Sequence, residues 1–287
     1  MRDLLMMTGI RGKERTHIIL AMKVTTAIIL FLTTNIVAGP YAFAQNAAPP
    51  RTGYLSPAEA PDVTKIVPAA PAPGDSRDIL DRSIFQATRA FEGTPRWTLA
   101  QSDNNVSTAA MMKAFSCTVG TPLDAEKAPK LAALLGRMLT DATAAFNRLK
   151  NFYPERKRPF LVEQGPICLP ITPTLTNGPD YPSGHSVFGW SAGLVLAELV
   201  PAQSTEILIR ARVFGESRVI CGVHNASAIE AGRMVAASTI AALHGNAAFR
   251  SDLEAVRSEL SGLTTGTTQT REPMCAAESE VLAKPPY

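Results

Sequence analysis

Three short clusters in this 287-residue chain combine residue types that hold an anion and move a proton. In Tyr181-Pro182-Ser183-Gly184-His185, a proline, a hydroxyl, a glycine and a histidine stand immediately before an apolar segment with helical spacing. That combination describes a helix N-terminus open to a ligand, where free N–H groups and the positive dipole end favour negative charge. In Ser217-Arg218-Val219-Ile220-Cys221-Gly222-Val223-His224, an arginine and a histidine lie six residues apart. Arginine offers a planar fork that matches phosphate oxygens, and histidine suits proton transfer or attack near neutral pH. Arg156-Lys157-Arg158-Pro159, with Lys150 upstream, puts four cations within nine residues. Each cluster alone also has an ordinary reading: a capped helix with a surface histidine, a solvated arginine beside a core histidine, and a basic helix end that complements its dipole.

Taken in order, the clusters resemble the signature of the type 2 phosphatidic acid phosphatase superfamily: K-x6-R-P, then P-S-G-H, then S-R-x5-H-x3-D. Pro182-Ser183-Gly184-His185 matches the second element, and Ser217-Arg218 with His224 matches the third at the right spacing. Within that superfamily the chain is similar to the bacterial class A non-specific acid phosphatases. The supporting context is Arg218 to His224, Ala231-Gly232-Arg233, and a Pro-rich arm followed by Gly93-Thr94-Pro95-Arg96. The likeness runs over roughly residues 68 to 250.

The resemblance implies hydrolysis of small, soluble phosphate monoesters, with inorganic phosphate as product. His224 would attack phosphorus and His185 would protonate the leaving group. Lys150, Arg158, Arg218 and the backbone N–H groups of Ser183 and Gly184 would hold the phosphate oxygens. It implies no metal and no cofactor, because fixed cations do the neutralising. The alternatives are a vanadium-dependent haloperoxidase, which shares the anion cradle, and a phosphate-binding protein with weakened catalysis.

The chain departs from the signature twice. Four residues after His224, where the family has an aspartate that holds the nucleophile's ring, stands Ala228. Glu230 falls on a different helix face, at about 600° of rotation from His224, so Asn225, Ser227 or a backbone carbonyl are the candidates to orient His224. Counting back from Arg158 puts Asn151 at the lysine's place, with Lys150 one residue early and Lys157 as a fallback. Lysine's flexible stem tolerates such a shift.

Helical spacing recurs over about 78–92, 105–116, 124–152, 184–200, 203–214 and 226–244, with no rival alternation of β-branched residues. Residues Val187 to Leu199 are apolar nearly all round, which marks a helix buried on most sides. The expectation is all-α: a single-domain helical bundle over 76–262, with that helix at its centre. An extended Pro/Ala-rich arm over 45–75 would precede it, and a loosely held tail over 263–287 would follow. The Pro-rich stretch 160–182 reads as a functional loop.

Lys23, the apolar run Val24–Val37 and Ala42-Phe43-Ala44 form a signal-peptide pattern that starts best at Met22 and is cut after Ala44. The run is too short for a membrane anchor. Residues 1–44 hold five of the 28 Lys/Arg and two of the 25 Asp/Glu, so the remainder is balanced at 23 of each and offers no nucleic-acid surface. Cys117, Cys168, Cys221 and Cys275 allow three disulfide pairings in an oxidising compartment, and their spacing fits zinc poorly. The expected location is periplasmic or secreted. Whether the chain forms a homo-oligomer is left open. His244 lies before Gly245, where it can interact with a helix C-terminus.

Overall fold

The computed structural model describes residues 52–264, 273–283 and 285–287. The expected signal peptide and the first residues of the arm lie outside the described residues. Among those described, the chain is all α with no strand. In order the helices are α1 (Val63–Ile66), α2 (Ser76–Thr88), α3 (Pro95–Ser102), α4 (Thr108–Val119), α5 (Pro129–Phe152), α6 (Pro173–Asn177), α7 (Gly184–Leu199), α8 (Ser204–Ile220), α9 (Ala226–Gly245), α10 (Ala247–Thr264) and α11 (Pro273–Leu282).

As the apolar run predicts, α7 is the centre, and it packs chiefly on α8 and α9. Small residues let these helices cross closely. A Cβ at Gly193 would come within 2.3 Å of the Ala211 Cβ, and one at Gly232 within 2.8 Å of the Ser183 carbonyl oxygen. The second contact fixes α9 against the first turn of α7, where the Pro-Ser-Gly-His cluster sits. On α5, Leu131, Leu134, Leu135, Met138, Ala142, Ala145 and Leu149 recur at three- and four-residue intervals and face the core. This register brings Lys150 to the last turn of α5.

Helices α1, α3, α6, α10 and α11 arise where no helix was expected. α3 starts at Pro95 with Thr94 as its cap, in a segment whose Gly-Thr-Pro reads locally as a turn. α10 follows α9 after Asn246, whose side chain accepts the N–H groups of Ala248 and Phe249. The arm is less extended than its prolines suggest. Between them Val63 begins the one-turn α1, and Tyr54, Val63 and Val67 are buried. The tail is also more ordered than expected. Residues 273–282 form α11, tied to α4 by the Cys117–Cys275 disulfide, with Leu282 buried and Glu278 paired to Arg210.

The tight α7–α8 crossing gives a stability test. Gly193→Ala should lower unfolding stability by about 1–3 kcal/mol through overpacking. Gly262→Ala, where a Cβ meets nothing within 4 Å, should be neutral or stabilising by up to about 1 kcal/mol. Denaturant melts of the two variants separate the effects, and equal stabilities would contradict the close-packing account.

Candidate active site

The turn between α8 and α9 carries His224, and local bonds fix its path. The Arg218 carbonyl accepts both the Val223 and His224 N–H groups, at 3.1 and 3.2 Å. Gly222 takes a left-handed φ of 77°, which glycine adopts without strain. From outside, Arg89 donates to the Val219, Ile220 and Pro166 carbonyls. The Cys168–Cys221 disulfide ties the same turn to the Pro-rich loop, beside a bond from Cys168 N–H to Cys221 O.

Around His224 the structure gathers Arg158, Lys150 and Arg218. Arg158 is buried, and its Nη1 lies 2.9 Å from His224 Nε2 and donates to Val223 O at 2.8 Å, while its Nε donates to Gly178 O. Lys150 Nζ donates to Pro179 O at 2.6 Å. Burial, Arg158 nearby and a partly offsetting Asp180 pull the Lys150 pKa down to about 8. Lys157 is exposed, so Lys150 is the lysine that belongs to the cluster despite its shifted spacing.

Arg218 is fully buried, and its Nε and Nη2 have no hydrogen-bond partner among the described residues, while Nη1 makes a long 3.4 Å contact to Ala100 O. A buried guanidinium with idle donors is costly unless an anion completes it. Asp103 supplies a more distant balancing charge, held by Ser217 and Arg210.

His185, in the first turn of α7, is half-buried, and its Nε2 lies 3.0 Å from Asn104 O. A carbonyl only accepts, so Nε2 carries the proton. Burial, then Arg218, then His224 and Arg158 hold the His185 pKa well below the usual imidazole range, with the Asn104 bond opposing them. The charges of Arg218 and Arg158 thus reach the ring of His185 as well as that of His224. For His224, burial followed by Arg158, Lys150 and Arg218 pushes the pKa down in the same way.

Of the two backbone donors expected at the α7 terminus, Ser183 is committed. Its N–H goes to Ala228 O at 3.0 Å, and its side chain caps Ser186 N–H. This is a correction to the expected cradle, and its cause is the close crossing of α9 at Gly232. The Gly184 N–H, one residue on, has no partner among the described residues.

The orientation of His224 is the second correction. Among the described residues the ring nitrogens bond Asp180 and Arg158, not Asn225 or Ser227. Ser227 donates its N–H and hydroxyl to Asp81 of α2. Asn225 donates its N–H and side-chain amide to Asp180. Asp180, fully buried, accepts His224 Nδ1–H at 2.8 Å. It lies 44 residues before His224 in the Pro-rich loop, two positions ahead of Pro182. Local spacing holds no signal for the pairing, beyond an isolated acid beside a motif.

A cavity of about 550 Å³ lies beyond Asn225, walled by Pro71, Tyr153, Arg156 and Glu163 among others. Neither catalytic candidate histidine lines it, nor does Arg158 or Arg218, so it is separate from the cation cluster.

An all-α core that converges two histidines, two arginines and a lysine on one helix terminus defines a class of phosphate-handling fold, and residues 130–251 match the PAP2 superfamily. The chain is 39% identical to an acid phosphatase of Zymomonas mobilis over 209 residues, covering 72% of this chain and 79% of that protein. It is 31% identical to a non-specific acid phosphatase of Providencia stuartii, covering 81% of this chain and 94% of that protein. A non-specific acid phosphatase of Salmonella typhimurium is 32% identical, at 81% and 91%. The chain belongs to the PAP2 superfamily and, within it, to the class A non-specific acid phosphatases.

If an anion completes Arg218, inorganic phosphate should raise the melting temperature of the wild type. Arg218→Met should abolish that rise while leaving the phosphate-free melt unchanged or higher, since it removes a buried charge whose donors are left unpaired. Differential scanning calorimetry reads both. A full phosphate-induced rise in the variant would show that the anion binds elsewhere.

Proposed function

We propose that the chain hydrolyses phosphate monoesters without a metal ion, through a phosphohistidine at His224. The observation that carries this reading is the His224 ring. Its Nδ1–H is held by Asp180, so the Nε2 lone pair points at Arg158, inside the cation cluster. A substrate phosphate that takes the Arg158 donor for its own oxygen frees that lone pair to attack.

In the first step the Nε2–P bond forms and the P–O bond to the leaving group breaks. His185 gives its proton to the departing oxygen. In the second, His185 accepts a proton from water as the water oxygen attacks phosphorus, the P–N bond breaks, and inorganic phosphate leaves. Splitting the displacement in this way replaces one difficult step by two easier ones. Arg158, Arg218, Lys150 and the Gly184 N–H supply the charge stabilisation on which phosphoryl transfer depends. With the His224 pKa held down first by burial and then by the surrounding cations, a neutral nucleophile is available at acidic pH.

The two disulfides, with no helix among the described residues long and apolar enough to cross a membrane, support a place in an oxidising compartment outside the cytoplasm. The signal-peptide pattern at residues 22–44 agrees with export. The relatives named above are acid phosphatases, and the phosphate-only character of the motif residues favours a broad range of small monoesters.

The test is hydrolysis of a chromogenic phosphate monoester across pH, with and without chelator. His224→Ala should lower kcat by at least about 10³-fold, and chelator should change nothing. Because Lys150 loses its charge as pH rises through about 8, kcat/KM should fall above that pH, and Lys150→Met should lower kcat/KM and remove that limb. Wild-type rates equal to those of His224→Ala, or full loss with chelator, would overturn the reading.

A further inference from the structure

The two departures of this chain from the superfamily signature, Ala228 and the one-residue lengthening between Lys150 and Arg158, lie against the same loop, residues 178–181. We infer that they form one arrangement, in which the carboxylate that positions the nucleophile has moved to Asp180. The inference rests on the reading of His224 as nucleophile given above.

In this chain position 228 does not carry the task. Ala228 is fully buried in an apolar cluster with Val63, Val67, Tyr181 and Val187, and its carbonyl is bonded to Ser183 N–H. A carboxylate there would be desolvated among aliphatic groups, with His224 Nδ1 already engaged elsewhere.

Asp180 instead arrives from the opposite side, and the lengthened segment builds its seat. Lys150 Nζ bonds Pro179 O, Arg158 Nε bonds Gly178 O, and Arg156 O accepts Asp180 N–H at 2.8 Å. Three consecutive loop residues are thus gripped by residues 150–158. Beyond the loop, Tyr181 Oη donates to Pro68 O of the arm.

The seat also sets charge. Asp180 Oδ1 accepts His224 Nδ1–H and Asn225 N–H, and Oδ2 accepts Asn225 Nδ2–H at 2.9 Å. Every hydrogen-bond partner of the carboxyl is a donor, which fits the ionised form. Burial pushes its pKa up, opposed first by the Asn225 side chain and then by Arg158 and Arg156. Arg156 Nε stands 4.0 Å from Oδ2, and its other nitrogens are tied to Asp78 and Asp81 of α2. Asp81 in turn holds Ser227 at the start of α9. Asp78, Asp81, Arg156 and Asn225 therefore form a buried frame around the Asp180–His224 pair. In this frame Asp180 acts as a positioning residue: it fixes the Nδ1–H tautomer and balances the imidazolium charge as Nε2 binds phosphorus.

The test compares Asp180→Asn, Asp180→Ala, and Asp180→Ala combined with Ala228→Asp. Asp180→Asn should lower kcat by about 10²–10⁴-fold with KM changed less than about threefold, and should shift the acidic limb of the kcat profile. Ala228→Asp should recover at least about tenfold of the kcat lost in Asp180→Ala. Nitrogen-15 NMR of the His224 ring provides a readout that needs no turnover. The wild type should show the Nδ1–H tautomer, and Asp180→Asn should show a mixture. An unchanged tautomer and unchanged kcat in Asp180→Asn would overturn the inference. So would a loss confined to KM with kcat retained. Should the wild type prove inactive on monoesters, the mechanism above fails, while the NMR comparison still decides the role of Asp180.

Discussion

Arg218 holds its guanidinium out of water with two nitrogens unpaired among the described residues, close enough to the buried Arg158 to feel its charge, and Arg158 in turn acts on the half-buried Lys150. Concentrated positive charge of this kind pays a desolvation cost that only a bound anion fully offsets. Much of the fold serves to hold the cations in place against that cost. The small-residue crossings of α7, α8 and α9 keep the cluster compact. The Cys168–Cys221 bond and Arg89 fix the turn that carries His224. Asp103 and Asp180 supply negative charge behind the cations and away from the bonds that a substrate would use.

The same charge governs both imidazoles. Their pKa values are held down by burial and by the surrounding arginines, so each is neutral when the site is empty. In the mechanism we propose, a dianionic phosphate reverses that balance: it would favour a proton on His185 for the leaving group, while Asp180 would keep the Nδ1 side of His224 occupied and leave Nε2 for phosphorus. On that proposal one electrostatic constraint would give the two histidines opposite duties; their hydrogen-bond partners, Asn104 for one and Asp180 for the other, set which nitrogen carries the proton.

The parts of this site that were legible in the sequence are those encoded locally. His185 with Gly184, and Arg218 with His224, each sit within a few residues of a helix end, so residue type and spacing place them. Lys150 was legible from its place just upstream of Arg156-Lys157-Arg158, one residue from the signature position, with Lys157 as the alternative. The centrality of α7 followed from apolar residues on every side. What was illegible depends on distant chain crossings. Ser183 loses its free N–H because α9 passes over it at Gly232, and Asp180 meets His224 across 44 residues through a loop whose prolines conceal its path. The order of α11 likewise depends on a disulfide whose pairing sequence alone leaves among three choices.

The central claim is that phosphorus is transferred to His224 Nε2 while Asp180 holds Nδ1. Rapid acid-free quenching of a reaction with a ³²P-labelled monoester, followed by peptide mapping, tests it directly. The account requires an acid-labile, alkali-stable label on His224 at the Nε2 position, absent from His224→Ala. Turnover by the wild type with no labelled enzyme, or with label at Nδ1 or on another residue, would contradict it.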